Sequence, residues 1–467
     1  MKNYKIVGAA LLGLALSTLA ACQSGGLSYQ KGDKIFTKRI LFDTSASEVI
    51  NPSFKLKSDK KVAEAKLGRA NLTFGVKKGV ITFKGEEFKQ AGAGEKTLTI
   101  SYKDGSSEKV EALLANKFIY TADDFQSINE ELTGIYVLAQ DIDFSEMDNF
   151  EPLGRFATEE DPENDYFHGV LDGDGYSLKN LTCSYSDGET APGNRSDSGY
   201  PSNYDVYSGD EKFEGETHIH GDNIGVFQFI GSSGVVRNLV FDNVKVHGRA
   251  IVGVVAGNLS GTAENLLIKS NCSVLMDTHF WDDDINCGGA FGIVAGGAVA
   301  NNIVSLTKDV KIRGTFEDWG DQYVGESGAG YDHGYDANNP FWRYWGNNKV
   351  DSTQSVYTDS NGNVTNGVYS VVGKCWGTVN NSVGVAFKAG RFDQNSTEVS
   401  FGQTHLGINK PTSGDSNLGE LNNCGVYNNE NLKKAATYAS FDLEAWNIAD
   451  GSYPSLKKNV NSFEIAE

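Results

Sequence analysis

The chain has 467 residues with 54 Gly but only 8 Pro and 3 Met; hydrophobic residues make up 39% and aromatics 11%, enough for a packed core, which excludes general disorder. The glycines follow no three-residue period, which excludes collagen, and a formal charge of −20 argues against nucleic acid as a partner, because phosphate recognition needs a basic surface. Much Gly with little Pro points instead to a β-rich protein with many turns.

Lys2 and Lys5 precede an apolar run from Ile6 to Ala21, too short for a typical membrane span and laid out like a secretory signal peptide. The run ends Leu19-Ala20-Ala21-Cys22 and continues Gln23-Ser24-Gly25-Gly26. This resembles the lipobox of bacterial lipoproteins, with residues 1–21 removed and Cys22 lipidated; the other reading is an ordinary signal peptide beside an unrelated Cys. Multiple acyl chains on Cys22 anchor stably to a membrane, and residues 22–34 then form a polar tether to a cell envelope. The remaining cysteines, Cys183, Cys272, Cys287, Cys375 and Cys424, are odd in number, irregular in spacing and lack a CxxC pair, so no zinc site is expected. Buried reduced thiols are the favoured reading, with a Cys272–Cys287 disulfide as the alternative.

Charge divides the rest. Residues 27–117 carry 18 Lys and Arg against 11 Asp and Glu, a net +7, whereas residues 118–467 carry 21 against 50, a net −29. Such asymmetry marks a domain boundary. Short strands are expected at 34–37, 39–42, 72–76, 79–83 and 96–102, with Leu98, Ile100 and Tyr102 alternating onto one face. Asp104-Gly105 is a hairpin turn leading to a return strand over 107–113. Together, residues 35–117 read as a small antiparallel sandwich that resembles the immunoglobulin-like modules of bacterial surface proteins.

From residue 118 the pattern changes. Thr121 is placed to cap a helix, with Asp124 in the capping-box position, and Phe125, Ile128 and Leu132 recur at helical spacing before Gly134 ends it. Strands follow at 135–138 and 141–144, then two more around the Gly173-Asp174-Gly175 turn. Asp141, Asp143, Asp172 and Asp174 raise calcium as a cofactor, but without EF-hand spacing the favoured reading is carboxylates bonding local turn backbone.

An internal repeat comes next, with copies at 224–241, 251–268, 290–305 and, more weakly, 369–385. Each joins small apolar residues and Gly to an Asn before a final strand: Asn238-Leu239, Asn265-Leu266, Asn302-Ile303 and Asn381-Ser382. One such unit cannot bury its own core, and stacked units can, so the repeat predicts a β-solenoid. Glycines are expected to take positive φ at its corners, and each Asn to adopt the left-handed conformation and bond its equivalent in the next coil. Residues 118–385, with Trp446-Asn447 and Tyr453-Pro454-Ser455-Leu456 further on, resemble GLUG-motif repeat proteins of bacterial surfaces. The resemblance implies a right-handed parallel β-helix-like fold across 118–460, closed by the Trp446 segment, and an adhesion or surface-binding role; it supplies no catalytic set.

Insertions interrupt the repeat at about 184–222, 316–366 and 389–422, with a shorter one between copies at His279–Asp284. Solenoids carry such loops on one face, often the binding face. Trp281, Trp319, Trp342, Tyr344 and Trp345, beside carboxylates, suit sugar rings: the aromatic face stacks on C–H groups and carboxylates take hydroxyls. The alternative is a satellite core beneath a long loop. His218-Ile219-His220 lacks a third ligand, so no metal site is assigned.

The expected function is a lipid-anchored, surface-exposed adhesin or ligand-binding lipoprotein of the bacterial envelope, whose partner is a glycan or a surface protein. An alternative is a β-helix hydrolase of neutral polysaccharide drawing paired carboxylates from Asp282, Asp283, Asp284, Asp318 and Asp321. A polyuronate lyase is disfavoured, because an acidic region repels an anionic chain. A structural surface spacer is the third reading.

Overall fold

The computed structural model describes residues 27–30, 34–37, 39–47, 49, 51–56, 58–148, 150–154, 166–184, 223–248, 251–278, 286–314, 350–354, 356–358, 364–389, 397–398, 402–403 and 419–458. Strands dominate, and the fold is all-β with a few short helical turns.

Residues 39–115 form two facing sheets. One runs in the order Arg39–Asp43, Ser107–Ala115, Gly94–Tyr102, Val62–Leu67, Ala70–Asn71; the other runs Ser53–Lys55, Val80–Phe83, Phe74–Lys77. Ile40, Leu67, Ile81, Phe83, Leu98 and Ile100 meet between them in one core. The first strand lies parallel to Ser107–Ala115, and the other pairings within these sheets are antiparallel. The Asp104-Gly105 turn forms as the residues require: Gly105 has φ 87° and its N–H donates to the Tyr102 carbonyl at 3.0 Å.

Four elements of the sandwich escape the sequence patterning, among them the two-residue strand Ala70–Asn71. Ser53–Lys55 is too short to show alternation. Val62–Leu67 buries Val62, Ala65 and Leu67, a broken alternation, because the pairing register slips between Val62 and Glu64. The helix Gly85–Ala91 offers a single large apolar residue, Phe88, which is fully buried with its ring 5.4 Å from Phe42 and 5.8 Å from Phe83.

From Lys117 the chain runs through successive stacked coils. A long face is built of Lys117–Ile119, Ile135–Leu138, Val170–Asp172, Val235–Asp242, Thr262–Ile268, Val299–Ser305, Thr378–Asn380 and Glu420–Asn422, each parallel to the next. A second face stacks Thr182–Ser184, Lys245–Gly248, Ser273–Thr278 and Asp309–Gly314. A third stacks Asn223–Ile224, Ile251–Gly253, Asn286–Gly288 and Val364–Tyr369, and a fourth Phe227–Ile230, Ala256–Leu259, Phe291–Val294 and Val372–Cys375. Parallel sheets stacked in this way fit the solenoid expectation. Glu420–Asn422 is itself part of the long face, so the third insertion ends before residue 420 and not at 422.

One apolar core runs along the coil interior from Ile119 to Val379. Its first end is closed by the helix Ala122–Gln126 and the turn Ser127–Glu130, which place Phe125 and Ile128 over it. The Thr121 hydroxyl accepts from the Asp124 N–H at 3.0 Å, the expected cap; the Asp124 carboxylate reaches one residue further back and accepts from the Tyr120 N–H at 3.1 Å.

The left-handed Asn positions are realised. Asn238, Asn265, Asn302, Asn381 and Asn423 occupy one column of the long face with φ of 54°, 53°, 55°, 49° and 55°. Asn265 donates to the Asn238 side chain at 3.2 Å and Asn302 to Asn265 at 3.0 Å. Across the step from Asn302 to Asn381 the neighbouring column carries the ladder, Asn380 donating to Asn301 at 2.9 Å and Asn422 to Asn380 at 3.1 Å, and the first column resumes with Asn423 donating to Asn381 at 3.0 Å.

The glycines correct the expectation. Within the repeat copies the corner glycines have ordinary φ, apart from Gly297; the left-handed positions belong to Asn. Gly261 shows what Gly supplies instead: a Cβ there would lie 2.2 Å from the Gly234 carbonyl oxygen and 2.4 Å from that of Gly231, in the preceding coil. Close approach of adjacent coils, and not backbone handedness, selects Gly at such corners. The Cys272–Cys287 disulfide is likewise not formed: both side chains are reduced thiols buried in the coil core.

The segment 428–458 does not cap the far end of the stack but covers the outward side of the long face. Trp446, Tyr438, Phe441, Leu432 and Leu456 bury Val240, Leu267, Val304 and Val383, which point out from four consecutive coils. Trp446 is 1% exposed and its Nε1 donates to the Asn265 side-chain oxygen at 3.0 Å, tying this cover to the Asn ladder.

Candidate functional site

The expected binding residues Trp281, Trp319, Trp342, Tyr344 and Trp345, the expected carboxylates Asp282, Asp284 and Asp318, the pair His218 and His220, and Cys22 lie outside the described residues. What the structure does place is the point at which each loop leaves and rejoins the coils. Residues 185–222 leave from Thr182–Ser184 and return at Asn223–Ile224; residues 279–285 leave from Ser273–Thr278 and return at Asn286–Gly288; residues 315–349 leave from Asp309–Gly314. The chain then forms Val350–Gln354 against Asp309–Gly314 and Val356–Thr358 against Val364–Tyr369 before rejoining the third face.

All three departures are therefore from the second face and all three returns are to the third, so the loops share one edge of the stack. Adjacent strands are about 4.8 Å apart, so the four second-face strands span roughly 14 Å. The loops bearing Asp282 and Asp318 leave from strands that pair directly, with Thr278 opposite Gly314. The general expectation that solenoid loops share one face acquires a place, the edge between the second and third faces, which follows from strand pairing between residues far apart in the chain.

The two tryptophans within the described residues are not candidates for this edge. Trp446 is buried in the outer cover, and half-buried Trp376 lies beneath the Lys374 ammonium, 4.5 Å from its ring centroid.

The carboxylates considered for calcium are engaged by protein groups. Asp141 accepts from the Ser177 N–H at 3.0 Å and from Lys179 and Lys458 at 2.8 and 2.6 Å. Burial works against its charge, but these partners outweigh it and hold its carboxyl below the ordinary range. Asp143 accepts from Ser145 N–H and Asn180.

Asp172 and Asp174 have a different role: they join the stack to the sandwich. Arg39 forks onto the fully buried Asp172 and also reaches Asp174 at 2.7 Å, while Arg237 donates to Asp172 at 2.7 Å and to Glu95 of the sandwich at 2.8 Å. Leu41, Leu113 and Ala115 pack against Val137 beside this network. Burial opposes the charge on Asp172, yet Arg39 and Arg237 hold its carboxyl well below the usual carboxylate range. Beyond the network, a cleft of about 940 Å³ opens between the sandwich, the long face and the outer cover, lined by Arg69, Lys96, Glu95, Arg237, Glu264 and Lys457. The sequence held one signal for this junction: Arg237 stands where later coils carry Glu264, Asn301 and Asn380.

No family model matches the chain, and no solved structure does. Among curated proteins it is similar to halomucin of Haloquadratum walsbyi, 28% identical over 245 residues; the match covers 50% of this chain but only 2% of halomucin. No helix among the described residues is long and apolar enough to cross a membrane.

Proposed function

We propose that the chain is a cell-surface lipoprotein, anchored through Cys22, that binds a glycan or a surface protein through the loops on one edge of a β-solenoid. The observation that carries this reading is the shared edge: loops rich in Trp, Tyr and carboxylates leave the second face from coils stacked on one another. Loops whose sequences are rich in aromatic and acidic residues, anchored on strands that span roughly 14 Å, suit several sugar units or a peptide stretch. The similarity to halomucin supports surface display.

The sandwich order, with its first strand parallel to its last, supports an immunoglobulin-like module. The strong preference for right-handed crossovers between parallel strands supports a right-handed helix, and the Asn–Leu repeats with the Trp446 segment support kinship with GLUG-motif proteins.

Binding of the full mature chain to a glycan array and to host and bacterial surface proteins tests the reading. Trp281→Ala and Trp342→Ala should each weaken the interaction about tenfold, in line with loss of an aromatic stacking partner. Absence of any glycan or protein ligand would leave the spacer reading in its place. A hydrolase is the second reading, favoured by one observation: the loops carrying Asp282 and Asp318 leave directly paired strands, so carboxylates about 5–9 Å apart are within reach. It requires reducing-end release from neutral polysaccharides that Asp282→Asn or Asp318→Asn abolishes.

A further inference from the structure

The sandwich has two unlike ends. One packs on the repeat stack through Arg39, Leu41, Leu113 and Glu95. The other is formed by three turns in contact. The Leu56 N–H donates to the Gly79 carbonyl at 2.9 Å, and the Lys103 N–H to the Lys61 carbonyl at 2.9 Å, so residues 56, 58–61, 77–80 and 102–106 form one continuous surface. The paired strands Gly94–Tyr102 and Ser107–Ala115, each of 9 residues, separate the ends by about 30 Å.

Lys60, Lys61, Lys77, Lys78 and Lys103 are all exposed on this far end. The acidic groups beside them are Asp59, Asp104 and Glu108; Asp104 is taken up by Lys60 at 2.6 Å, and Glu108 accepts from the Tyr102 hydroxyl at 2.8 Å. Lys78 and Gly79 have φ of 51° and 76°, the left-handed pair of a tight hairpin turn, and this turn pushes Lys77 and Lys78 out beside Val76, which is 48% exposed. An exposed apolar residue flanked by lysines, on the basic unit of a chain whose residues 118–467 are net −29, is the composition of a surface that rests on anionic lipid.

We propose that this far end docks on anionic phospholipid headgroups, laying the sandwich on the membrane and turning the acidic stack, with its loop-bearing edge, away from it. The proposal rests on the reading of the chain as a membrane-anchored surface protein, but it assigns the membrane contact to named side chains and not to the lipid anchor. Acidic repulsion between stack and bilayer favours the same orientation.

The test uses the full mature chain with Cys22→Ser, which cannot be acylated. It is sedimented with phosphatidylcholine vesicles with and without roughly one-third phosphatidylglycerol. Binding is expected to the anionic vesicles alone and to be lost between roughly 0.1 M and 0.5 M salt. Combined Lys61→Glu, Lys77→Glu and Lys103→Glu should weaken it at least about tenfold, whereas Lys245→Glu, Lys308→Glu and Lys434→Glu, equally exposed elsewhere, should leave it within about twofold. Equal binding to neutral vesicles, no binding, or an equal loss from both triple variants overturns the proposal, as does a change in self-association with no change in vesicle binding. The glycan array is read on the same unacylated protein, so failure of membrane docking and failure of ligand binding are distinguished.

Discussion

Asn265 concentrates several demands on a single side chain. It sits at φ 53°, donates to Asn238, and accepts both from Asn302 and from the buried Trp446 indole. Alanine there would remove three hydrogen bonds, strand two buried donors and force a Cβ-bearing residue without a local bond into the left-handed region. At about 1 kcal/mol for each bond and about 1 kcal/mol for the backbone, Asn265→Ala should cost about 3–4 kcal/mol in urea unfolding. Glycine tolerates the backbone, so Asn265→Gly should recover about 1 kcal/mol of that loss. Equal costs for the two variants would mean that backbone handedness contributes nothing at this position. Gly261 poses the opposite requirement. Its φ is ordinary, yet Gly261→Ala would bring a methyl into the Gly234 and Gly231 carbonyls of the coil before it. Overpacking of this kind costs about 1–3 kcal/mol, and thermal melts of the pair Gly261→Ala and Gly297→Ala separate close approach from positive φ.

At the scale of elements, the segment 428–458 acts as a cover whose removal uncovers a ready-made apolar stripe. Val240, Leu267, Val304 and Val383 point outward from consecutive coils and are sealed by Trp446, Tyr438 and Phe441. Trp446→Ala should therefore cost about 3–5 kcal/mol and make 428–458 the first site of proteolytic cleavage, with exposure of the stripe reported by a hydrophobic dye. Trp446→Phe keeps most of the apolar area and should lose about 1 kcal/mol, the value of the bond to Asn265. Cleavage elsewhere first would show that the cover is not the weakest element. The repeat strands and the Asn column were legible because each coil repeats the same local pattern. The Thr121 cap and the Asp104-Gly105 turn were legible because their chemistry lies within four residues. The sandwich strand Val62–Leu67 was not, since its register slip is imposed by its partner strand. That the insertions share a face was expected of a solenoid, but which edge they share was hidden, because only coil stacking brings residues 184, 278 and 314 to one side.

In the whole molecule, sandwich and stack are held together by a buried ionic junction and not by apolar area alone. Asp172 is fully buried between Arg39 and Arg237, so breaking one partner leaves an uncompensated charge; Arg39→Ala should cost about 3–5 kcal/mol. Acid reaches the same junction from the other side. Burial raises the Asp172 carboxyl, but the two guanidinium groups outweigh it and keep its folded value below the unfolded one. Its stabilisation is thus complete above the unfolded value of about 3.9 and is lost progressively as pH falls through and below it. Asp141 and Asp242, also held low against burial by Lys179, Lys458 and Lys269, add to the same acid limb within the stack. Calorimetric scans should accordingly show one joint transition from neutral pH down to about 4, with the two transitions drawing apart only further down, as pH falls from the unfolded carboxylate value toward the depressed folded one. Asp172→Asn should show two transitions already at neutral pH and a shallower dependence on acid below about 4, because the group that couples the halves to protons has gone. If Asp172→Asn instead kept a single transition with the wild-type acid slope, the coupling would reside in the apolar contact of Leu41, Leu113 and Ala115 with Val137, and the ionic network would be a passenger at that interface.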